Sequence, residues 1–502
     1  MRGLVLAAAV VALGGGAAAA APTKEEEAVK AFLRAYADRD ANVRKKAVGL
    51  LEAVEGARAT EALLPALGDP SPRVRERARE AVSLRTTDGD LEAIARAGLR
   101  NAAQEVRRRS AEALGAAGER ARPRSEALAA SLRDRDPIVR EAAAAALGAT
   151  GHRGQASVVA AAIKKEESPE VRGALLQALG LLDGKAAVDE AARLAARDRE
   201  GPPAVAALRV LGRLDPGGAG RAAAGLVRHP CWEVRVAAAE ALGSHGSDAA
   251  AVQALLDGLL KEKRLRGRQA IAAGLERITG APLGDDPDRW KEWWGKHREG
   301  WEPAKDPGVS PPPRPSGEEE SVARFYDIPV DGDRVVFAMD TSKSMLDPAR
   351  LGESATKMQL AVAEAAKTLA GLREEVSFNL VAFGTEVEAW RPRAVPANSS
   401  TKYEALRFLQ KRPPEGRTNI FDALAAAMAD REVDTVFLLT DGAPTEGQET
   451  TRTGFLRGLA HLRRWRPVRV HCVEVGAGNT GTRWKGFLAE VAAACGGARV
   501  AR

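Results

Sequence analysis

The stretch DRDPIVREAAAAALGATG, residues 134–151, decides how the N-terminal part of this chain is read. Asp136 followed by Pro137 is a helix-opening pair, and the Ala/Leu run behind it is a helical pattern that Gly148 is expected to close. The Val139-Arg140 pair inside the stretch recurs as Val43-Arg44, Val74-Arg75, Val106-Arg107, Val171-Arg172 and Val234-Arg235. Successive Val residues stand 31, 32, 33, 32 and 63 positions apart, and Val205 marks the unit skipped in the last step. Turn signals such as Asp69-Pro70-Ser71-Pro72 precede the pairs, so one period holds two short helices and two turns. Neither helix buries its apolar face alone, and the units must stack around a shared core. About seven or eight units fit before residue 280.

The pattern resembles HEAT repeats in their short form, with Asp-Pro, Val-Arg and Ala-Leu-Gly positions. The resemblance implies an all-α superhelix over residues 25–301 that serves as an interaction surface or spacer and carries no catalytic residue. The repeated Arg reads as packed along its own turn and paired with a neighbouring Asp; the alternative is a row of ligand-binding cations. The array ends in GDDPDRWKEWWGKHREGW, residues 284–301. Asp286 is a candidate N-cap with Pro287 at the first helical position, and Trp290, Trp293 and Trp294 fall on one face. A cap sealing the end of the solenoid is the reading, with an aromatic cage for a cation or sugar as the alternative. Residues 302–320 then form a Pro-rich linker, read as a semi-rigid spacer that keeps two folded parts apart.

Upstream, Met1-Arg2, the apolar Leu4 to Leu13 and the small-residue stretch to Ala21 have the three-part layout of a secretory signal peptide over residues 1–21. The apolar part is short for a membrane span, so the expectation is an exported protein, periplasmic or extracellular, with no span after cleavage. The chain has 502 residues, 75 Lys+Arg against 68 Asp+Glu and three cysteines. Length alone implies several domains, and so few cysteines exclude a disulfide-dense scaffold or a Cys-rich zinc module. Cys472 and Cys495 either bridge or remain thiols. The basic excess first suggests nucleic acid. Its distribution does not: residues 318–502 hold 25 basic and 25 acidic residues, and the solenoid with its linker holds 49 against 43. For an exported chain no nucleic-acid partner is expected; acidic proteins, or an envelope polymer, fit better.

From residue 321 the pattern changes to short β-rich runs alternating with helices. Runs at 335–339, 376–383, 435–440 and 468–475 alternate with helical stretches at 358–372, 401–410, 420–429, 454–465 and 484–494. That alternation predicts an α/β doubly wound, mostly parallel sheet, whose ligand site lies at the carboxyl ends of its strands. Hard-oxygen residues fall there. The first strand runs into Asp340-Thr341-Ser342-Lys343-Ser344, a later loop carries Thr418 in GRTNIFDAL, and another strand ends in Thr440-Asp441-Gly442.

These three segments, in this order, resemble the metal-ion-dependent adhesion site of von Willebrand factor type A (VWA) domains, a resemblance covering residues 321–502. With the repeats it suggests an exported bacterial protein combining the two modules. It implies that Asp340, Ser342, Ser344, Thr418 and Asp441 hold Mg²⁺ (or Mn²⁺) and leave one position for a carboxylate from a protein partner. The chemistry agrees, since Mg²⁺ takes an octahedral shell of oxygens and retains several waters. The alternative is a metal-free copy whose two Asp cap loops. Lys343 and Arg417 stand where relatives often carry Gly, which leaves the shell intact and puts the ligand preference in question. Gly476 to Gly481 spells G-x-G-x-x-G, yet no acidic residue follows at the dinucleotide-binding distance, so the glycines read as a turn. No phosphate-loop, zinc-protease or nucleophile-elbow motif occurs, and His471 reads as a satisfied core residue. The expected function is non-enzymatic, metal-dependent capture of an acidic group, with the solenoid as interaction scaffold. The alternatives are a scaffold whose solenoid makes the contacts while the metal is structural, and an accessory subunit of an enzyme complex.

Overall fold

The computed structural model describes residues 23–302, 323–349, 354–476 and 484–502. The signal-peptide reading of residues 1–21, nearly all of the linker and the G-x-G-x-x-G beyond Gly476 lie outside the described residues.

Seventeen α-helices occupy the described N-terminal part, and sixteen of them pair into eight units. The pairs are α1 (Lys24–Tyr36) with α2 (Ala41–Leu51), α3 (Ala57–Leu63) with α4 (Pro72–Ser83), α5 (Asp88–Ala93) with α6 (Gln104–Ala117), and α7 (Ser125–Ser131) with α8 (Pro137–Thr150). Then come α9 (Ala156–Lys165) with α10 (Pro169–Leu182), α11 (Gly184–Arg197) with α12 (Gly201–Leu214), α13 (Pro216–Leu226) with α14 (Trp232–His245), and α15 (Ala249–Leu259) with α16 (Leu265–Thr279). Every Val-Arg pair opens an even-numbered helix. Consecutive even helices pack side by side, and one continuous apolar core runs from Phe32 to Trp294. Here one sequence expectation fails. Gly148 does not end its helix; α8 continues to Thr150 and stops at Gly151, whose φ of 62° is the left-handed cap. A Cβ on Gly148 would stand 3.0 Å from the Ala178 Cα, so this glycine lets α8 and α10 touch.

The repeated Arg forms a ladder. Arg44 binds Asp69, Arg107 binds Asp134, Arg140 binds Glu166, Arg172 faces Asp198 and Arg235 binds Glu262, each reaching an acid of the next repeat. Four of these guanidinium groups also donate to two carbonyls of their own turn, as Arg107 does to Asn101 and Ala102. The cations are therefore used internally. At the far end α17 (Pro287–His297) packs on α15, with Trp290 and Trp294 buried. The Trp290 indole donates to the Gly284 carbonyl at 2.6 Å and that of Trp294 to Gln253 at 2.9 Å. Rings so buried and so hydrogen-bonded form a lid over the core.

The C-terminal part is an α/β domain. Its sheet runs β5 (Val387–Ala389), β4 (Ser377–Phe383), β3 (Arg334–Asp340), β7 (Thr435–Thr440), β8 (Arg469–Glu474), β9 (Arg499–Ala501), with β6 (Val395–Pro396) also on β4. The β4-β3-β7-β8-β9 pairings are parallel; β5 and β6 join antiparallel. A small hairpin, β1 (Arg324–Phe325) and β2 (Ile328–Pro329), precedes it. Strand alternation splits the core. Val335, Phe337 and Met339 face α18 (Lys357–Gly371), α19 (Ser399–Gln410) and the hairpin, while Val336 and Ala338 face α20 (Ile420–Ala427), α21 (Arg452–Leu462) and α22 (Phe487–Ala494). His471 is buried, stacks on Phe437 and accepts from the Ala498 amide; Cys231, Cys472 and Cys495 are free thiols.

The two parts are not held apart as the linker composition suggests. The α/β domain seats against the even helices of the solenoid. Trp465, just past α21, joins the solenoid core, and a Cβ on Gly173 of α10 would lie 2.9 Å from its ring. Arg464 donates to Glu141 and Gln177 at 2.6 Å each, Trp232 donates to the Arg431 carbonyl, and the Leu265 amide donates to Asp333. Arg264 and Arg431 add ion pairs with Glu432 and Glu170. Pro-rich composition limits how a linker bends and says nothing about whether the surfaces it joins are complementary.

Candidate metal centre

The parallel order puts the carboxyl ends of β3 and β7 side by side, because Met339 lies opposite Leu439 in register. Asp340 ends β3 and Asp441 follows β7 by one residue, so topology brings together two carboxylates distant in sequence. Backbone bonds then fold the loops inward. The Thr341 amide donates to Phe383, Glu415 to Thr341, and Lys343 to Gly416, which ties the 340–345 loop to the loop carrying Thr418. The latter is tied to the β7 loop, since the Thr445 and Glu446 amides donate to the Thr418 carbonyl and the Thr445 hydroxyl accepts from the Thr418 amide.

Within this frame the side chains meet. Asp340 is fully buried; its Oδ1 accepts from the Ser342 amide at 2.7 Å and its Oδ2 from the Thr440 hydroxyl at 2.6 Å. Burial pushes its carboxyl up to about 6, against the hydrogen bonds from Ser342 and Thr440 and with the Asp441 charge adding to the rise. The Ser342 and Ser344 hydroxyls are 3.2 Å apart, and Ser344 donates to Asp441 Oδ1 at 2.8 Å. Thr418 is buried on the adjoining loop. Asp340, Ser342, Ser344 and Asp441 thus form one hydrogen-bonded set, with Thr418 on the loop bonded to both neighbours. Two carboxylates and three hydroxyls are hard donors that suit Mg²⁺ or Mn²⁺. Among the described residues no group of three or more His, Cys, Asp or Glu is placed to hold a metal, so a cation here depends on the hydroxyls.

Lys343 and Arg417, the two departures noted from the sequence, are exposed at the rim, and Arg417 lies 3.4 Å from Glu446. Neither fills the centre. Two residues that sequence reasoning missed do enter it. Thr440 holds the second oxygen of Asp340. Lys357, the first residue of α18, places its ammonium 2.8 Å from Asp441 Oδ2. No spacing rule points to Lys357; only the fold brings that helix start onto a residue 84 positions later.

Residues 333–500 match the family model of the von Willebrand factor type A domain, and residues 92–180, 125–202 and 190–276 match that of HEAT repeats. The chain is 34% identical over 131 residues to human inter-alpha-trypsin inhibitor heavy chain H4, covering 24% of this chain and 13% of that protein. It is 28% identical over 121 residues to human von Willebrand factor A domain-containing protein 3A, covering 24% and 10%. The chain therefore spans a small fraction of the length of these relatives. Among solved structures, a von Willebrand factor type A protein from Catenulispora acidiphila aligns over 35% of this chain and 39% of that one, at 19% identity and a TM-score of 0.28. The chain is a HEAT-repeat region followed by a C-terminal type A domain with a mostly parallel sheet flanked by helices.

Proposed function

We propose that this chain is a non-enzymatic, exported binding protein whose type A domain captures a carboxylate of a protein partner through Mg²⁺ or Mn²⁺. Asp340, Ser342, Ser344, Thr418 and Asp441 would hold the ion. When bound, the ion supplies an electrophilic coordination position that an anionic oxygen fills. The residues of the chain do the rest: Thr440 and the Ser342 amide orient Asp340, Ser344 orients Asp441, and the exposed Lys343 adds a positive charge at the rim that attracts an acidic group. The observation that carries this reading is the convergence of three loops on one hydroxyl-carboxylate cluster at the carboxyl end of the sheet.

The even helices from α4 to α16 each carry a contact to the type A domain, which supports a role as cradle more than as a free partner surface. Calorimetric titration of the whole chain with MnCl₂, wild type against Asp340→Ala, tests the ion. A micromolar to millimolar isotherm lost in the variant is expected, and an isotherm retained in the variant overturns the metal site. Binding to an immobilised acidic peptide, lost on EDTA and restored by Mn²⁺, is the expected result for the ligand; retention in EDTA would count against metal-dependent capture.

A further inference from the structure

Lys357 is an odd choice for its place. A cation in the first turn of a helix opposes the helix dipole, and a buried ammonium loses hydration that only close partners restore. Its side chain is 10% exposed, with Nζ 2.8 Å from Asp441 Oδ2, 3.5 Å from the Ser344 carbonyl and 3.7 Å from Asp347 Oδ2. The stem has been given room: Gly476, at φ 70°, would carry a Cβ 2.6 Å from the Lys357 Cε. Asp441 is consequently shared, one oxygen with the Ser344 hydroxyl and the other with Lys357. Asp347, largely exposed, offers the ammonium a second carboxylate if the first is engaged.

We infer that Lys357 is a resident counter-cation of the metal centre, standing in for a divalent ion when none is bound and weakening its binding through competition for Asp441. This deepens the metal-site reading and rests on it. With both carboxylates ionised, an occupied centre without Lys357 is formally neutral, and with Lys357 it carries one positive charge. The lysine therefore trades affinity for the ion against attraction for an anionic ligand, and selects partners by their negative charge. Lys357→Met removes the charge and keeps the length of the stem; Lys357→Arg keeps the charge.

The test is titration of the full chain with MnCl₂ at low ionic strength, with thermal unfolding of each variant in EDTA. Lys357→Met is expected to bind Mn²⁺ about tenfold more tightly, as removal of one repelling charge implies, and to unfold at a lower temperature in EDTA with a larger rise on adding Mn²⁺. Lys357→Arg is expected to stay near the wild type in affinity. Mn²⁺ binding by Lys357→Met but not by the wild type supports the stand-in role most directly. Equal or weaker binding by a folded Lys357→Met, while Asp340→Ala still abolishes the signal, overturns the lysine inference and leaves the metal site standing. Absence of binding in both wild type and Lys357→Met overturns the metal site and this inference with it.

Discussion

Asp340 shows how much a single residue depends on neighbours that its own motif does not contain. The D-x-S-x-S spacing displays Asp340, Ser342 and Ser344 in the sequence, because three ligands on one loop are close along the chain. Thr440 is different, since its hydroxyl reaches Asp340 only through the β3–β7 pairing. Replacing it by Val keeps the shape and removes the donor, leaving a fully buried carboxylate oxygen without that bond. The expected cost is about 1–3 kcal/mol of unfolding free energy, read from denaturant unfolding in EDTA, with weaker Mn²⁺ binding alongside. An unchanged midpoint would mean that Asp340 is held adequately by the Ser342 amide alone. The same reasoning explains why Lys357 escaped the sequence: local spacing carries information about loops, and almost none about which helix start a distant strand end will meet.

At the scale of elements, the Arg ladder is legible in half. The period was visible in the Val-Arg pairs, but the acid that receives each Arg sits 25 to 27 residues on, in the turn of the next repeat. Those acids have a second task, accepting from the amide two residues ahead: Asp69 from Ser71, Asp134 from Asp136, Glu166 from Ser168, Glu262 from Arg264. Asn101 keeps that task, bonding the Ala103 amide, yet has no charge to offer. Arg75, whose partner it would be, still donates to the Asp69 and Pro70 carbonyls and sends its remaining Nη2 to the Gln448 carbonyl of the type A domain. Asn101→Asp should restore the missing rung, raise stability by about 1 kcal/mol, and loosen the 445–449 loop, seen as faster amide exchange there. Asp134→Asn makes the reverse change and should lower stability. If Asn101→Asp leaves both stability and loop exchange unaltered, the ladder is not what positions Arg75. Gly148 teaches a related point, because a glycine that reads as a stop in one helix is a contact between two.

For the whole molecule the sequence was nearly silent, because docking depends on two surfaces that fold separately and match only in three dimensions. The repeat period announced the solenoid and the strand-helix alternation announced the type A domain; Trp465 read merely as the end of a helix. In the structure it is the anchor, 7% exposed, inserted beside Gly173 and flanked by the Arg209 and Arg464 guanidinium groups at 5.8 and 4.7 Å from its ring. Arg464 continues the contact to Glu141 and Gln177, and Arg209 donates to the Arg464 carbonyl. Truncating a buried Trp costs about 3–5 kcal/mol, and here the loss falls where a side chain of the type A domain enters the solenoid core. Trp465→Ala should therefore uncouple the parts: calorimetry is expected to show two separated unfolding transitions, with the type A domain melting first, and small-angle scattering a larger radius of gyration. Glu141→Lys, which turns the Arg464 ion pair into a repulsion, should act in the same direction without removing apolar area. A variant that keeps the wild-type transition and radius would show that the remaining contacts, Trp232 to Arg431 and Arg264 to Glu432, suffice to hold the domain. The loop that follows Asp441 is also the loop that Arg75 and Arg109 reach from the solenoid. Loss of docking in Trp465→Ala should accordingly alter Mn²⁺ affinity at a centre that the substitution never touches.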